Sequence, residues 1–333
     1  MTRLCQLLCL SGGGYLGLYT ASVLAELEKA SGKPLRETFD LLAGTSVGGI
    51  IALGLAAGTS AADIRDAFIE NGSAIFSNLP PPQGEVARLL DLRRNFKKAK
   101  YRTEPLKAVI EDIVGANLLV GDLGQRVIVP AVNLTKGRPQ VFKTPHHPTF
   151  IRDLHLKVVD VALATSAAPT FFPVHQIGGE LFADGGLYAN SPDFLALHEA
   201  EYFLATPVEQ VRMLSIGTTT GQFSFSNATG KDLGWADWLA GQRLTSAMIA
   251  SHQINTDAML KHRLADRYLR IDQIQSREQE RHLALDVATD AAKNDMLGLA
   301  EASVREFLPK AFVKTVLAHS AGQPKYYTVG GGT

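Results

Sequence analysis

The stretch that most constrains this chain is Phe39 to Ala57, FDLLAGTSVGGIIALGLAA. An apolar run of strand length ends abruptly in Gly44-Thr45-Ser46-Val47-Gly48, and an apolar run of helical length follows. Ser46 therefore falls at a strand-to-helix corner. Gly44 and Gly48 carry no Cβ, so the backbone can turn sharply and the helix can pack close to the strand. The turn pushes the serine hydroxyl outward, and the helix starting near Val47 aims unpaired N–H groups and its positive dipole end at it. A developing alkoxide or tetrahedral oxyanion would be stabilised there. The same five residues also fit a plain glycine-rich loop, and the strand-turn-helix context is what separates the two readings.

Upstream, Leu4 to Leu10 reads as a buried strand running into Ser11-Gly12-Gly13-Gly14-Tyr15-Leu16-Gly17. A helix carrying Leu18, Val23, Leu24 and Leu27 follows, and Ser31-Gly32-Lys33-Pro34 stops it. Three consecutive glycines before a helix N-terminus offer backbone N–H groups to an anion, either a phosphate or a reaction oxyanion. The loop lacks the glycine spacing and the acidic partner of a dinucleotide fingerprint, and no Gly-Lys-Ser/Thr follows as a phosphate-binding P-loop needs. A glycine turn without a ligand also fits.

The rest of the chain keeps alternating. Ser60 to Asp63 opens a helix expected to run to about Glu70, and Asn71 to Gln83, with Gly72 and Pro80-Pro81-Pro82, reads as a surface loop and a candidate lid or hinge. Helices are expected over 104–114, 158–164, 193–201, 232–262 and 287–317, and strands over 127–132, 140–142, 181–184, 211–216 and 268–271. This alternation, with no repeat and no low-complexity linker, predicts one α/β domain over 1–333, with a mainly parallel central sheet flanked by helices and a helical C-terminal part over 232–320. At 333 residues and 46% hydrophobic content the chain can bury a substantial core.

Charge and cysteine usage exclude several partners. Lys+Arg and Asp+Glu both number 33, so no global field draws the protein to nucleic acid, and any anionic contact must be local. Such a place exists from Arg88 to Lys107, where Arg88, Arg93, Arg94, Lys97, Lys98, Lys100, Arg102 and Lys107 face only Asp91 and Glu104. It reads as a solvated face or as a contact for anionic headgroups or a nucleotide-like regulator. Cys5 and Cys9 would lie about 13 Å apart along one strand, too far to bridge. Together with the absence of a leader-like segment before the first strand, this predicts a reducing, cytoplasmic location. The apolar stretch Leu41 to Ala57 is too short and too interrupted to span a membrane.

A serine nucleophile needs a base. None of the nine histidines stands alone after a strand near the C-terminus, where a Ser-His-acid hydrolase would carry one. Asp184 does end a short apolar strand, Leu181-Phe182-Ala183-Asp184, and is followed by Gly185-Gly186. An Asp-Gly hairpin turn is the alternative there.

Gly12-Gly13-Gly14-Tyr15-Leu16-Gly17, Gly44-Thr45-Ser46-Val47-Gly48, Ala164-Thr165-Ser166-Ala167-Ala168-Pro169 and Asp184-Gly185-Gly186 occur in the order and approximate spacing of the patatin-like phospholipases, a resemblance covering residues 4 to about 217. The resemblance implies a lipid acyl hydrolase with a Ser-Asp dyad and no histidine, cofactor or metal. Ser46 matches the nucleophile, Asp184 the base, and Gly12, Gly13 and Gly14 the oxyanion loop. Leu16 departs from the pattern, since many relatives carry Arg or Lys there, where a cation could orient the loop or meet a lipid phosphate.

The stretch from Gly44 to Phe76 is most similar to the CapV-type bacterial effectors of this family, which are switched on by cyclic dinucleotides in anti-phage signalling. That implies membrane phospholipid as substrate, access to the inner membrane surface and a cyclic dinucleotide activator, with a homo-oligomer as one assembly. Two other readings stay open: a soluble Ser-His esterase, and a non-catalytic nucleotide-binding signalling module in which Gly12 to Gly17 holds phosphate.

Overall fold

A computed structural model describes residues 4–79, 98–219, 232–234, 238, 243–276 and 278–328. Chain order runs β1 (Cys5–Leu10), α1 (Gly17–Ser31), β2 (Leu41–Gly44), α2 (Val47–Ala57), α3 (Ala61–Ile75), α4 (Thr103–Val114), β3 (Val127–Asn133), β4 (Arg138–Lys143), α5 (Val158–Thr165), β5 (His175–Ile177), β6 (Glu180–Asp184), the single turn α6 (Gly186–Ala189), α7 (Asp193–His198), β7 (Val211–Ile216), α8 (Arg243–Leu264), β8 (Tyr268–Ile271), α9 (Asp290–Phe307) and α10 (Ala311–Ala318).

The described strands form one eight-stranded mixed sheet in the order β5-β6-β3-β2-β1-β7-β8, with β4 on β3. β3, β2, β1, β7 and β8 are parallel, and β4, β6 and β5 extend the sheet antiparallel. β1 lies between β2 and β7, so all six of its residues are buried, as a strand covered on both faces requires. Its side chains alternate between two cores: Leu8 and Leu10 enter the larger one with α1 and α2, while Cys5, Leu7 and Cys9 enter the smaller one with Leu197, Leu260 and Leu264. Gln6 is buried on this strand because its side chain donates to Thr38 O and Val316 O, both at 2.9 Å.

The pairing of β3 brings two distant segments together. β4 covers one edge of β3 from Ile128 to Asn133. β2 therefore shares the opposite edge with β6, β2 opposing Val127 and Ile128 and β6 opposing Ala131 to Asn133. β2 runs with β3 and β6 runs against it, so their C-terminal ends point at each other. Continuing the β2 register brings position 46 level with Ala131, whose partner is Asp184.

Several boundaries differ from the sequence reading. The expected break at Asn71 begins too early, because α3 continues to Ile75; Gly72 sits inside the helix where a Cβ would strike the Tyr15 ring. Pro80-Pro81-Pro82 lie outside the described residues, as do Arg88, Arg93, Arg94 and Lys97. The 193–201 helix loosens into a π-helical turn from Glu199, residues 232–234 are not helical, and 287–317 is two helices. Asp184-Gly185 is not a hairpin turn, since a helical turn follows it; the β5–β6 hairpin turns at Gly178-Gly179. No helix among the described residues is long and apolar enough to cross a membrane.

Candidate active site

Ser46 sits between β2 and α2 with φ 54° and ψ −126°, outside the ordinary regions for an L-residue. Such a conformation costs on the order of 1–3 kcal/mol and persists only when its surroundings impose it. They do so here through several contacts. Thr45 N donates to Leu10 O at 3.1 Å, and Thr45 Oγ1 donates to Ala189 O at 2.6 Å. Ser46 N donates to Thr165 Oγ1 at 3.0 Å, and that hydroxyl donates to Pro130 O at 2.6 Å. Gly44 and Gly48 are required by close approach, because a Cβ on Gly44 would meet Gly48 O and one on Gly48 would meet Leu10 O.

Ser46 Oγ donates to Asp184 Oδ2 at 2.6 Å, and Gly186 N donates to the other carboxylate oxygen at 2.6 Å. Asp184 N donates to Ala167 O at 3.0 Å, so the carboxylate is fixed from both sides. Asp184 is 5% exposed, and burial pushes its carboxyl up to about 6, against the opposing pull of the Ser46 and Gly186 hydrogen bonds. That makes it a stronger proton acceptor than an ordinary aspartate.

The glycine loop passes beside this pair. Gly12 N donates to Asn190 O at 2.9 Å, and Gly12 O accepts from Thr218 Oγ1 at 3.0 Å and Asn190 Nδ2 at 3.3 Å. Gly12 thus anchors the loop of the three glycines, its N–H committed to Asn190 O. The N–H groups of Gly13 and Gly14 have no hydrogen-bond partner among the described residues, and both glycines line the pocket with Ser46. Gly14 has φ 56° and packs against Leu285 O, which also accepts from Tyr15 N at 2.8 Å. Leu16 is buried in the larger core, so its side chain serves packing and does not face a ligand.

Ser46 and Asp184 open on a pocket of about 1010 Å³, counting its mouth, whose lining is mostly apolar: Val47, Ile50, Phe68, Ile75, Leu106 and Phe171 among others. Phe76 and Phe172 line one side and pack on each other and on Tyr101, with ring centroids 5.7–6.0 Å apart. Leu187 and Met248 line the pocket and are also exposed. Among the described residues no histidine lines it. His252 Nδ1 accepts from Ser191 N at 3.5 Å, and His146, His175 and His319 bond Glu199, Asp160 and Asp40 respectively. Among the described residues no His, Cys, Asp and Glu cluster is placed to hold a metal ion.

Of the basic segment, Lys100 pairs with Asp286, Arg102 with Glu104 and Lys107 with Glu111. Asn190 and Leu285 are supporting residues that sequence reasoning did not single out, and Thr165 entered there only as part of the Ala164–Pro169 run, without a role. Asn190 lies close after Asp184-Gly185-Gly186 and could have been suspected, whereas Leu285 carries no local signal.

Comparison with known proteins matches residues 8–197 to the patatin-like phospholipase family model. A cGAMP-activated phospholipase of Pseudomonas aeruginosa is 41% identical over 97% of this chain and 94% of its own length. Proteins of the same description from Vibrio cholerae and Escherichia coli are 38% and 36% identical, each over 87% of this chain and over 88% and 86% of their own lengths.

Proposed function

This chain belongs to the patatin-like phospholipase family and is a serine acyl hydrolase, and on that premise we propose that it cleaves phospholipid acyl esters with Ser46 as nucleophile and Asp184 as base. The observation that carries the assignment is the 2.6 Å hydrogen bond between a strained, pocket-lining serine and a carboxylate whose proton affinity is raised by burial.

Along that bond Asp184 takes the Ser46 proton as Oγ attacks the ester carbonyl. The oxyanion that forms is met by the N–H groups of Gly13 and Gly14 and by the N-terminus of α2, which begins at Val47. Collapse of the intermediate passes the proton from Asp184 to the departing alcohol, the lysophospholipid, and leaves the acyl group on Ser46. Water then enters, loses a proton to Asp184 and releases the fatty acid. The apolar pocket suits the acyl chain, and its exposed rim at Leu187 and Met248 supports access from a lipid surface.

The activator enters the same proposal. Three relatives at 36–41% identity are named as cGAMP-activated, and their likeness extends over most of this chain, beyond the 8–197 family match. We therefore assign a cytoplasmic phospholipase that is quiet until a cyclic dinucleotide binds and then acts on the inner membrane surface in anti-phage defence. The test is fatty-acid release from vesicles of mixed bacterial phospholipids, with and without a panel of cyclic dinucleotides. Release stimulated by cGAMP supports both parts. Equal release without nucleotide removes the activation, and no release under any condition removes the lipase.

A further inference from the structure

Thr165, Ser166 and Ala167 follow one another where α5 ends, and two of them hold the catalytic pair. Thr165 Oγ1 accepts from Ser46 N, and Ala167 O accepts from Asp184 N. Ser166 lies between them, lines the same pocket and is 5% exposed, yet its hydroxyl has no hydrogen-bond partner among the described residues. A buried hydroxyl left unpaired is unfavourable and uncommon, and in a reaction pocket it calls for a partner that the reaction supplies.

Among the described residues, the other polar side chains that line the pocket are Ser46, Asp184, Asn190 and Thr245. Ser46 and Asp184 bond each other, Asn190 Nδ2 donates to Gly12 O, and Thr245 is exposed. Once Ser46 carries an acyl group it has no proton to give, and Asp184 Oδ2 loses its donor. A water molecule held in place needs two or more polar partners. With the Gly13 and Gly14 N–H groups turned to the acyl carbonyl oxygen, Ser166 Oγ and the released Asp184 Oδ2 are two side-chain partners that the described lining leaves for it.

Resting on the Ser46–Asp184 reading above, we propose that Ser166 holds the hydrolytic water of the second half-reaction. Ser166 Oγ donates to the water oxygen, and the water donates to Asp184 Oδ2. The water oxygen bonds to the acyl carbon as one of its protons passes to Asp184. The tetrahedral intermediate then breaks its bond to Ser46 Oγ, Asp184 returns the proton to that oxygen, and the fatty acid leaves with the second water proton. Ser166 thereby acts on deacylation and leaves acylation alone.

The test compares the wild type, Ser166→Ala and Ser166→Gly with p-nitrophenyl butyrate in stopped flow, in the presence and absence of cGAMP, with intact-mass detection of the acyl-enzyme. Both variants are expected to keep the acylation rate within about twofold, to lose about tenfold or more in steady-state turnover, and to accumulate the butyryl adduct. Turnover equal to wild type, or a fall in acylation matching the fall in turnover, overturns the proposal. Failure of the underlying reading looks different: Ser46 then takes up neither butyryl nor a fluorophosphonate label in any of the three proteins. Adducts that form alike in all three, with equal turnover, sink the Ser166 role alone.

Discussion

Ser46 Oγ and Asp184 Oδ2 stand 2.6 Å apart although 138 residues separate them in the chain. The contact arises because β2 and β6 end head to head on one edge of β3. A short bond between a hydroxyl and a carboxylate is among the stronger hydrogen bonds, and here it lies along the path of the proposed proton transfer.

Removing either partner should abolish most ester hydrolysis while leaving the fold intact. Ser46→Ala is expected to lower kcat/KM by at least about a thousandfold. Asp184→Asn should lower it by about 10²–10⁴-fold. Steady-state hydrolysis of a soluble ester, alongside circular dichroism of each variant, checks this; near wild-type activity in either one contradicts the assignment.

Activity should follow the ionisation of Asp184. The base works only when ionised, so kcat/KM should fall about tenfold per pH unit below about 6 and level off above it. Stability carries the opposite sign. A carboxyl whose folded-state proton affinity is raised costs nothing while it is protonated in both states; the cost grows as pH rises from the ordinary carboxylate range to about 6 and stays constant beyond. At neutral pH that cost is about 3 kcal/mol as an upper figure, so Asp184→Asn should be more stable than wild type at pH 7 and lose that advantage near pH 4. Urea midpoints at the two pH values measure it.

Backbone contact at the corner predicts a sharp contrast between two glycines. Gly48→Ala drives a methyl group into Leu10 O and should destabilise the protein by about 1–3 kcal/mol, with loss of hydrolysis. Gly298→Ala places the same methyl in open space on α9 and should stabilise by about 0.5–1 kcal/mol with activity unchanged. Thermal unfolding and the ester assay, run in parallel, distinguish them.

Histidine substitution separates this mechanism from a Ser-His esterase. His252, which bonds Ser191 N next to the glycine-loop anchor Asn190, should tolerate Ala with hydrolysis within a few fold of wild type, because it lines no part of the pocket. An activity loss comparable to that of Ser46→Ala, at unchanged stability, would restore the histidine mechanism.

Much of this site is legible in the sequence, because its parts are local. The Ser46 corner follows from two apolar runs meeting at small residues, and the glycine loop from three consecutive glycines before an apolar helix. Asp184 is legible as a strand end. The convergence of Asp184 on Ser46 is not, since it depends on β3 giving one edge to two strands. The duties of the glycines are hidden for a related reason: Gly12 loses its N–H to Asn190, which arrives from 178 residues away. Gly72 looks like a helix stop and is instead the space that the Tyr15 ring occupies beside α3.

The most direct test of the central claim is the labelling of intact protein by a fluorophosphonate, with the modified residue located by peptide mass mapping. A single adduct on Ser46 is predicted, forming more slowly below about pH 6 and much more slowly in Asp184→Asn. An adduct elsewhere, or labelling of Ser46 at the wild-type rate in Asp184→Asn, would contradict a Ser46–Asp184 dyad.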